Sequence, residues 1–146
     1  MDGGWGFVVR DHEGQVVGSG AGRLDNCADA MHAEAMAALQ ALVYASEAGM
    51  MRVELEVDSV NVQAALTTRS YDLSSVGMII RDAKFLMFSE FNTVKVIFQP
   101  RSCNTVADSL ARFGSELESG AVMLWPDENP SFVNSLMAAD AQSVLS

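Results

Sequence analysis

The sequence predicts an α/β domain in which a mixed sheet is flanked by helices, and three observations predict it. Two extended runs near the N-terminus, residues 5–10 and 15–22, flank the turn signal Asp11-His12-Glu13-Gly14 and read as an antiparallel hairpin. Two later extended runs, 51–57 and 93–98, each follow a helical pattern, the helix–strand order of a sheet with crossovers. Hairpin and helix-linked strands in one chain imply antiparallel and parallel pairing together. At 146 residues the chain is long enough for a single packed core.

The elements follow in order. WGFVVR, from Trp5 to Arg10, is short and rich in β-formers. The second strand, QVVGSGAG, carries Gly18, Gly20 and Gly22 at alternate positions, so one of its faces is almost bare. Such a face either marks a weak or bulged strand or lets a ligand or backbone come close. Residues 26–48 carry the strongest helix signal, with alanine and leucine dominant and apolar residues at 31, 35, 38, 42 and 45. Asn26 is the expected N-cap, Asp29 suits the first turn, and Gly49 is placed to end the helix.

MRVELEV, 51–57, alternates with Val53, Leu55 and Val57 on one face. Asp58-Ser59 ends it, and a short helix is expected over 60–66. A longer amphipathic helix is expected over 74–88, a strand over 93–98 (TVKVIF), and a last helix over 104–117. The domain is expected to span residues 1–118. Residues 119–146, with Trp125-Pro126 and Asn129-Pro130, form a tail to which the pattern assigns no structure.

Composition narrows the function. No apolar run approaches the ~18 residues that a membrane helix needs. Met1-Asp2-Gly3-Gly4 lacks the basic segment and apolar core of a signal peptide. Cys27 and Cys103 fit neither a disulfide framework nor a zinc-ligand spacing and read as reduced thiols. The expected setting is therefore intracellular, cytoplasmic or nuclear, with no membrane partner. A net charge of −10, with nine Lys and Arg against 19 Asp and Glu, argues against strong non-specific nucleic-acid binding, which is carried by basic groups.

Three carboxylates stand out by position. Glu34 lies beside the apolar stripe of the first helix, Asp58 at the C-terminal end of a strand, and Asp108 in an alanine- and leucine-rich helical turn. Strand C-termini commonly carry ligand groups in α/β proteins. Clustered carboxylates are what a two-metal phosphodiesterase site needs: Mg²⁺ prefers hard oxygen ligands, and two ions ~3.5–4 Å apart stabilise both the attacking and leaving oxygens. Each also has a plainer role. Glu34 and Asp108 suit solvent-facing helix positions, and Asp58, like Ser59, suits the cap of the helix that follows. Periodicity does not show whether the three converge.

Four segments together resemble a known family: GGWGFVVRDHEGQVVGSG, HAEAMAALQAL, VELEVDSVNVQAAL and VKVIFQPRSCNTVADSLAR. In this order and spacing they resemble the type-1 ribonuclease H domain of many plant proteins related to retroelement reverse transcriptases. The resemblance covers roughly residues 3–113. It implies a ribonuclease H-like sheet and hydrolysis of the RNA strand of an RNA–DNA hybrid with two Mg²⁺ ions. Carried over by motif, Glu34, Asp58 and Asp108 match three of the family's four catalytic and metal-binding acids. Asn104 and Arg101 fall on positions near the substrate, Arg101 where bacterial members have a catalytic His. His12 and His32 do not replace that group. Arg10, Arg23 and Arg69 are further candidate contacts to the duplex.

The family's first acid lies in a central strand before the hairpin. Here only Met1 precedes Asp2-Gly3. The resemblance therefore implies that this first strand is missing, with unpaired edges as the consequence, and makes Asp2 a further metal candidate. A nucleic-acid- or protein-binding module derived from the same fold, without catalysis, is the alternative.

Overall fold

A computed structural model describes residues 3–11, 13, 15–68, 75–99, 105–126 and 130. In chain order its elements are β1 (Gly3–Arg10), β2 (Val16–Leu24), α1 (Ala30–Glu47), β3 (Arg52–Val57), α2 (Val60–Thr67), α3 (Ser75–Ser89), β4 (Thr93–Phe98), α4 (Thr105–Ser115) and β5 (Val122–Pro126). The eight expected elements are all present, in the expected order. No helix among the described residues is long and apolar enough to cross a membrane.

Two boundaries move for local chemical reasons. α1 begins at Ala30, because the carboxylate of Asp29 accepts the His32 N–H at 2.9 Å and caps the helix. Asn26 instead occupies a turn at φ 55°, a left-handed conformation that Asn tolerates. Gly49 does close α1, at φ 79°. The boundary expected at residue 118 is crossed by β5, which pairs antiparallel with β2 from Gly18↔Pro126 to Gly22↔Val122.

Antiparallel and parallel pairing are both present, but in separate ladders. β1, β2 and β5 form one antiparallel sheet in the order β1-β2-β5, and β3 and β4 form a parallel pair. Among the described residues no ladder joins β1 to β3. One helix holds the halves together. α1 packs on both β1 and β3, and its buried Ala35, Ala38, Ala41, Leu42 and Ala45 join Trp5, Phe7 and Val9 of β1 and Val53, Leu55 and Val57 of β3 in one core.

β1 and β2 are covered on both faces, and their glycines make that possible, whereas β5 is largely exposed. Trp5 lies opposite Gly22 and Phe7 opposite Gly20. A Cβ at Gly20 would meet the Phe7 ring, at Gly22 the Trp5 ring, and at Gly18 the Tyr44 ring of α1. The bare face of β2 is thus filled by aromatic rings, with Trp5 and Phe7 stacked at 6.0 Å between centroids. β2 does carry a register irregularity at Val17, between Val9↔Gly18 and Arg10↔Val16, but its bare face is no open approach for a ligand. On the opposite face α4 rests on β1. A Cβ at Gly6 would lie 2.5 Å from the Ala111 amide nitrogen, and one at Gly4 would strike the Ala111 carbonyl. Leu110, fully buried, and Val106 seal this second small core with Ala21.

The parallel half is thinner. Val53, Leu55 and Val57 face α1, whereas Arg52, Glu54 and Glu56 point to solvent. β4 shows no such clean alternation, and no residue of it is fully buried.

Candidate functional site

The three acids singled out by sequence sit on three elements: Glu34 on α1, Asp58 directly after β3, and Asp108 on α4. Glu34 is half-buried, not an exposed helix residue. It sits next to Ala35, which is fully buried in the core that spans both halves. Asp58 is half-buried at the C-terminal end of the parallel pair. The capping role open to it belongs to Ser59, whose hydroxyl accepts the Val62 N–H at 3.2 Å. Both Glu34 and Asp58 interact with other groups.

Asp108 faces another way. Val106 and Leu110 point into the sheet, and a residue two positions from each lies on the opposite side of the helix. Its side chain is 45% exposed and lies 3.9 Å from Arg112, one turn on. In the first turn of α4 it also suits the helix dipole. An exposed pair at that separation contributes little to stability.

The described residues do not bring these acids into a metal site. Among them there is no group of three or more His, Cys, Asp or Glu that could hold a metal ion. A two-ion centre needs several oxygen donors converging on a few ångströms. Asp2, Arg101 and Asn104, with His12, Arg69 and Cys103, lie outside the described residues.

Of the remaining candidates, His32 and Arg23 have structural roles, and Arg10 is exposed at the end of β1. His32 is buried, and its Nδ1 accepts the Ala28 N–H at 3.0 Å. Together with the Asp29 cap it fixes the start of α1, so this imidazole is a packing group. Arg23 pairs with Asp25 at 2.9 Å and donates to the Leu117 carbonyl at 3.0 Å, and Ser119 also donates to Asp25. This cluster ties the connection between α4 and β5 to β2, so Arg23 is committed to the fold and is not held out for a duplex. Cys27 is buried and free, and its thiol lies 3.2 Å from the Asp29 carbonyl. Sequence reasoning missed β5 and the seating of α4. The alternation Gly4-x-Gly6 in β1 was the available signal for the second, since two glycines on one face invite a close neighbour.

Comparison with known proteins agrees with this architecture. The family model described as reverse transcriptase-like matches residues 1–114. No curated protein sequence matches the chain. Among solved structures, the RNase H1 of the halophilic archaeon Halobacterium salinarum NRC-1 is similar with a TM-score of 0.67 and 26% identity, over 76% of this chain and 83% of that one. The N-terminal RNase H domain of rv2228c from Mycobacterium tuberculosis, solved as a fusion with maltose binding protein, is similar in fold with a TM-score of 0.55 and 20% identity, over 79% of this chain and 91% of that one. With its hairpin, its helix-linked parallel strands and a matching family model over most of its length, the chain belongs to the reverse transcriptase-like family and has a ribonuclease H-like fold.

Proposed function

We propose that this domain acts on RNA–DNA hybrid as a ribonuclease of the H type, with Glu34, Asp58 and Asp108 as its acidic residues, Mg²⁺ as its metal, and Asn104 and Arg101 beside the substrate. The observation that carries the reading is the 26% identity to an archaeal RNase H1 over 83% of that protein, joined to the half-buried Asp58 directly after β3, where Ser59 is the N-cap of α2. An acidic chain favours a site that meets phosphate through bound cations over a broad basic surface. A metal ion would supply charge stabilisation at phosphorus. Glu34 and Asp58 are both half-buried, and a carboxylate removed from bulk water interacts more strongly with a cation.

A second reading has its own support. The described acids form no metal-holding group, and Asp108 faces solvent. Both features suit a non-catalytic nucleic-acid- or protein-binding module built on the same fold. The experiment that separates the two is a Mg²⁺ titration of the purified chain with a labelled RNA–DNA hybrid, alongside Asp58→Asn. Metal-dependent cleavage of the RNA strand, abolished in Asp58→Asn, is the expected result. Hybrid binding without cleavage, equal in both proteins, overturns the enzymatic reading and leaves the binding module.

A further inference from the structure

α3 carries more apolar surface than its place in the core uses. Its inward side is already occupied: Val76, Ile80 and Ala83 are buried, and Ile79, Leu86 and Met87 pack against the same core. That side rests on α1 and α2. The outward side repeats the apolar pattern where a surface helix normally turns polar residues to water. Met78, Phe85 and Phe88 are 61%, 69% and 90% exposed. Met78 and Phe85 are two turns apart, so they stack on one line of the helix about 10 Å from each other. Phe88 widens that line into a stripe. Among the described residues α1 and α4 expose no large apolar side chain, and α2 exposes only Val60 at its first position. An exposed apolar patch rimmed by charge marks an interaction surface.

Two charges lie within the stripe. Arg81 and Asp82 are both exposed. Arg81 follows Met78 by three residues and precedes Phe85 by four, whereas Asp82 follows Met78 by four and precedes Phe85 by three. At ~100° per residue, positions three and four further on fall on opposite sides of a line through the first. The cation therefore flanks the Met78–Phe85 line on one side and the anion on the other, at nearly the same height. Among the described residues neither has an ion-pair partner in its own chain.

A face of this kind complements itself in one orientation. Two copies of α3 side by side and running the same way are related by a two-fold axis parallel to them. The Arg81 flank of each then meets the Asp82 flank of the other, twice over. Met78 meets Met78 and Phe85 meets Phe85 along the seam. Copies running opposite ways would set Arg81 against Arg81 and Asp82 against Asp82. Two-fold interfaces require such reciprocal pairing, and charges flanking a helical seam set partner choice and orientation. A lipid surface is a poorer match. Helices that lie on membranes carry several basic residues, and here one cation stands beside one anion on a chain of net charge −10.

From these features we propose that the outward face of α3 binds a second copy of this chain, in a parallel two-fold dimer with Met78 and Phe85 at the seam and Arg81 paired with Asp82 across each flank. The dimer depends on neither metal nor catalysis.

Sedimentation velocity of the whole chain over a concentration series tests it, and a reversible monomer–dimer equilibrium is expected. Phe85→Glu should weaken association at least tenfold while the circular dichroism spectrum and melting temperature are kept, because Phe85 is exposed in the single chain. Asp82→Arg and Arg81→Asp should each weaken it by a similar factor through like charges, and an equimolar mixture of the two variants should restore the dimer. A chain that stays monomeric at every concentration overturns the proposal. So does a dimer that persists in Phe85→Glu or forms equally well in Asp82→Arg alone, since the interface would then lie elsewhere. A monomer destabilised by Phe85→Glu also overturns it and gives the face to residues of the same chain. A monomer that binds phosphatidylcholine vesicles until Phe85 is replaced overturns it in favour of lipid.

Discussion

The two halves of this molecule solve the same packing problem with unequal means. The antiparallel half is a sandwich: rings of Trp5, Phe7 and Tyr44 fill one face of β1 and β2, and α4 presses on the other through Gly4 and Gly6. The parallel half has one good face, toward α1, and Glu54 and Glu56 on the other. Among the described residues no ladder joins β1 to β3. The difference teaches that, among the described residues, the two are joined through side chains under α1 and by no ladder of backbone hydrogen bonds. Packing of α1 should therefore govern whether they behave as one unit.

That comparison can be broken at its hinge. Leu42 is fully buried on α1 in the common core. Leu42→Ala should cost about 2–5 kcal/mol and, in thermal unfolding followed by both Trp fluorescence and far-UV circular dichroism, lower both transitions together. Separate shifts by the two probes would mean that the halves fold independently.

A second change acts on one half alone. Gly6→Val drives a side chain into the backbone of α4, and overpacking of this kind costs about 1–3 kcal/mol or more. Trp125, which meets Phe113 of α4 edge-on at 5.7 Å, should report the displacement by its emission. An unchanged melting temperature would show that α4 is not seated on the glycines.

Smaller effects are expected at the helix starts. Asp29→Ala removes the cap of α1, which supports both halves, and should cost about 1 kcal/mol in denaturant unfolding. Ser59→Ala, at the start of α2, should cost a similar amount and be felt in the parallel half only. The smallest effect belongs to Arg112→Ala. Its pairing with Asp108 is exposed and long, so stability should change by less than about 0.5 kcal/mol. A larger loss would place Asp108 in a more demanding environment than its exposure suggests.

Much of the fold was legible in the sequence because each of its elements carries its own periodicity. The alternation of Val53, Leu55 and Val57 and the alanine stripe of α1 needed no tertiary knowledge. β5 was not legible: VMLWP is five residues long, and its pairing with β2 depends on contacts about a hundred residues apart. The start of α1 differs from the expectation because Asn26 and Asp29 both suit a cap, and the local bonds of the His32 N–H to Asp29 and of the Ala28 N–H to His32 decide between them. For the site, motif order indicated which acids to examine, and local pattern could not indicate where they point. Asp108 shows why. Its place two residues from both Val106 and Leu110 already sets it away from the sheet, a fact of helical geometry that a motif match passes over.

The most direct test of the split sheet is amide hydrogen exchange of the free chain, resolved by residue. The Gly6, Val8, Glu54 and Glu56 amides should exchange at least tenfold faster than their neighbours Phe7, Val9, Leu55 and Val57, which bond to β2 and β4. Equal and strong protection of both sets would contradict it, since the inner edges of β1 and β3 would then already be paired.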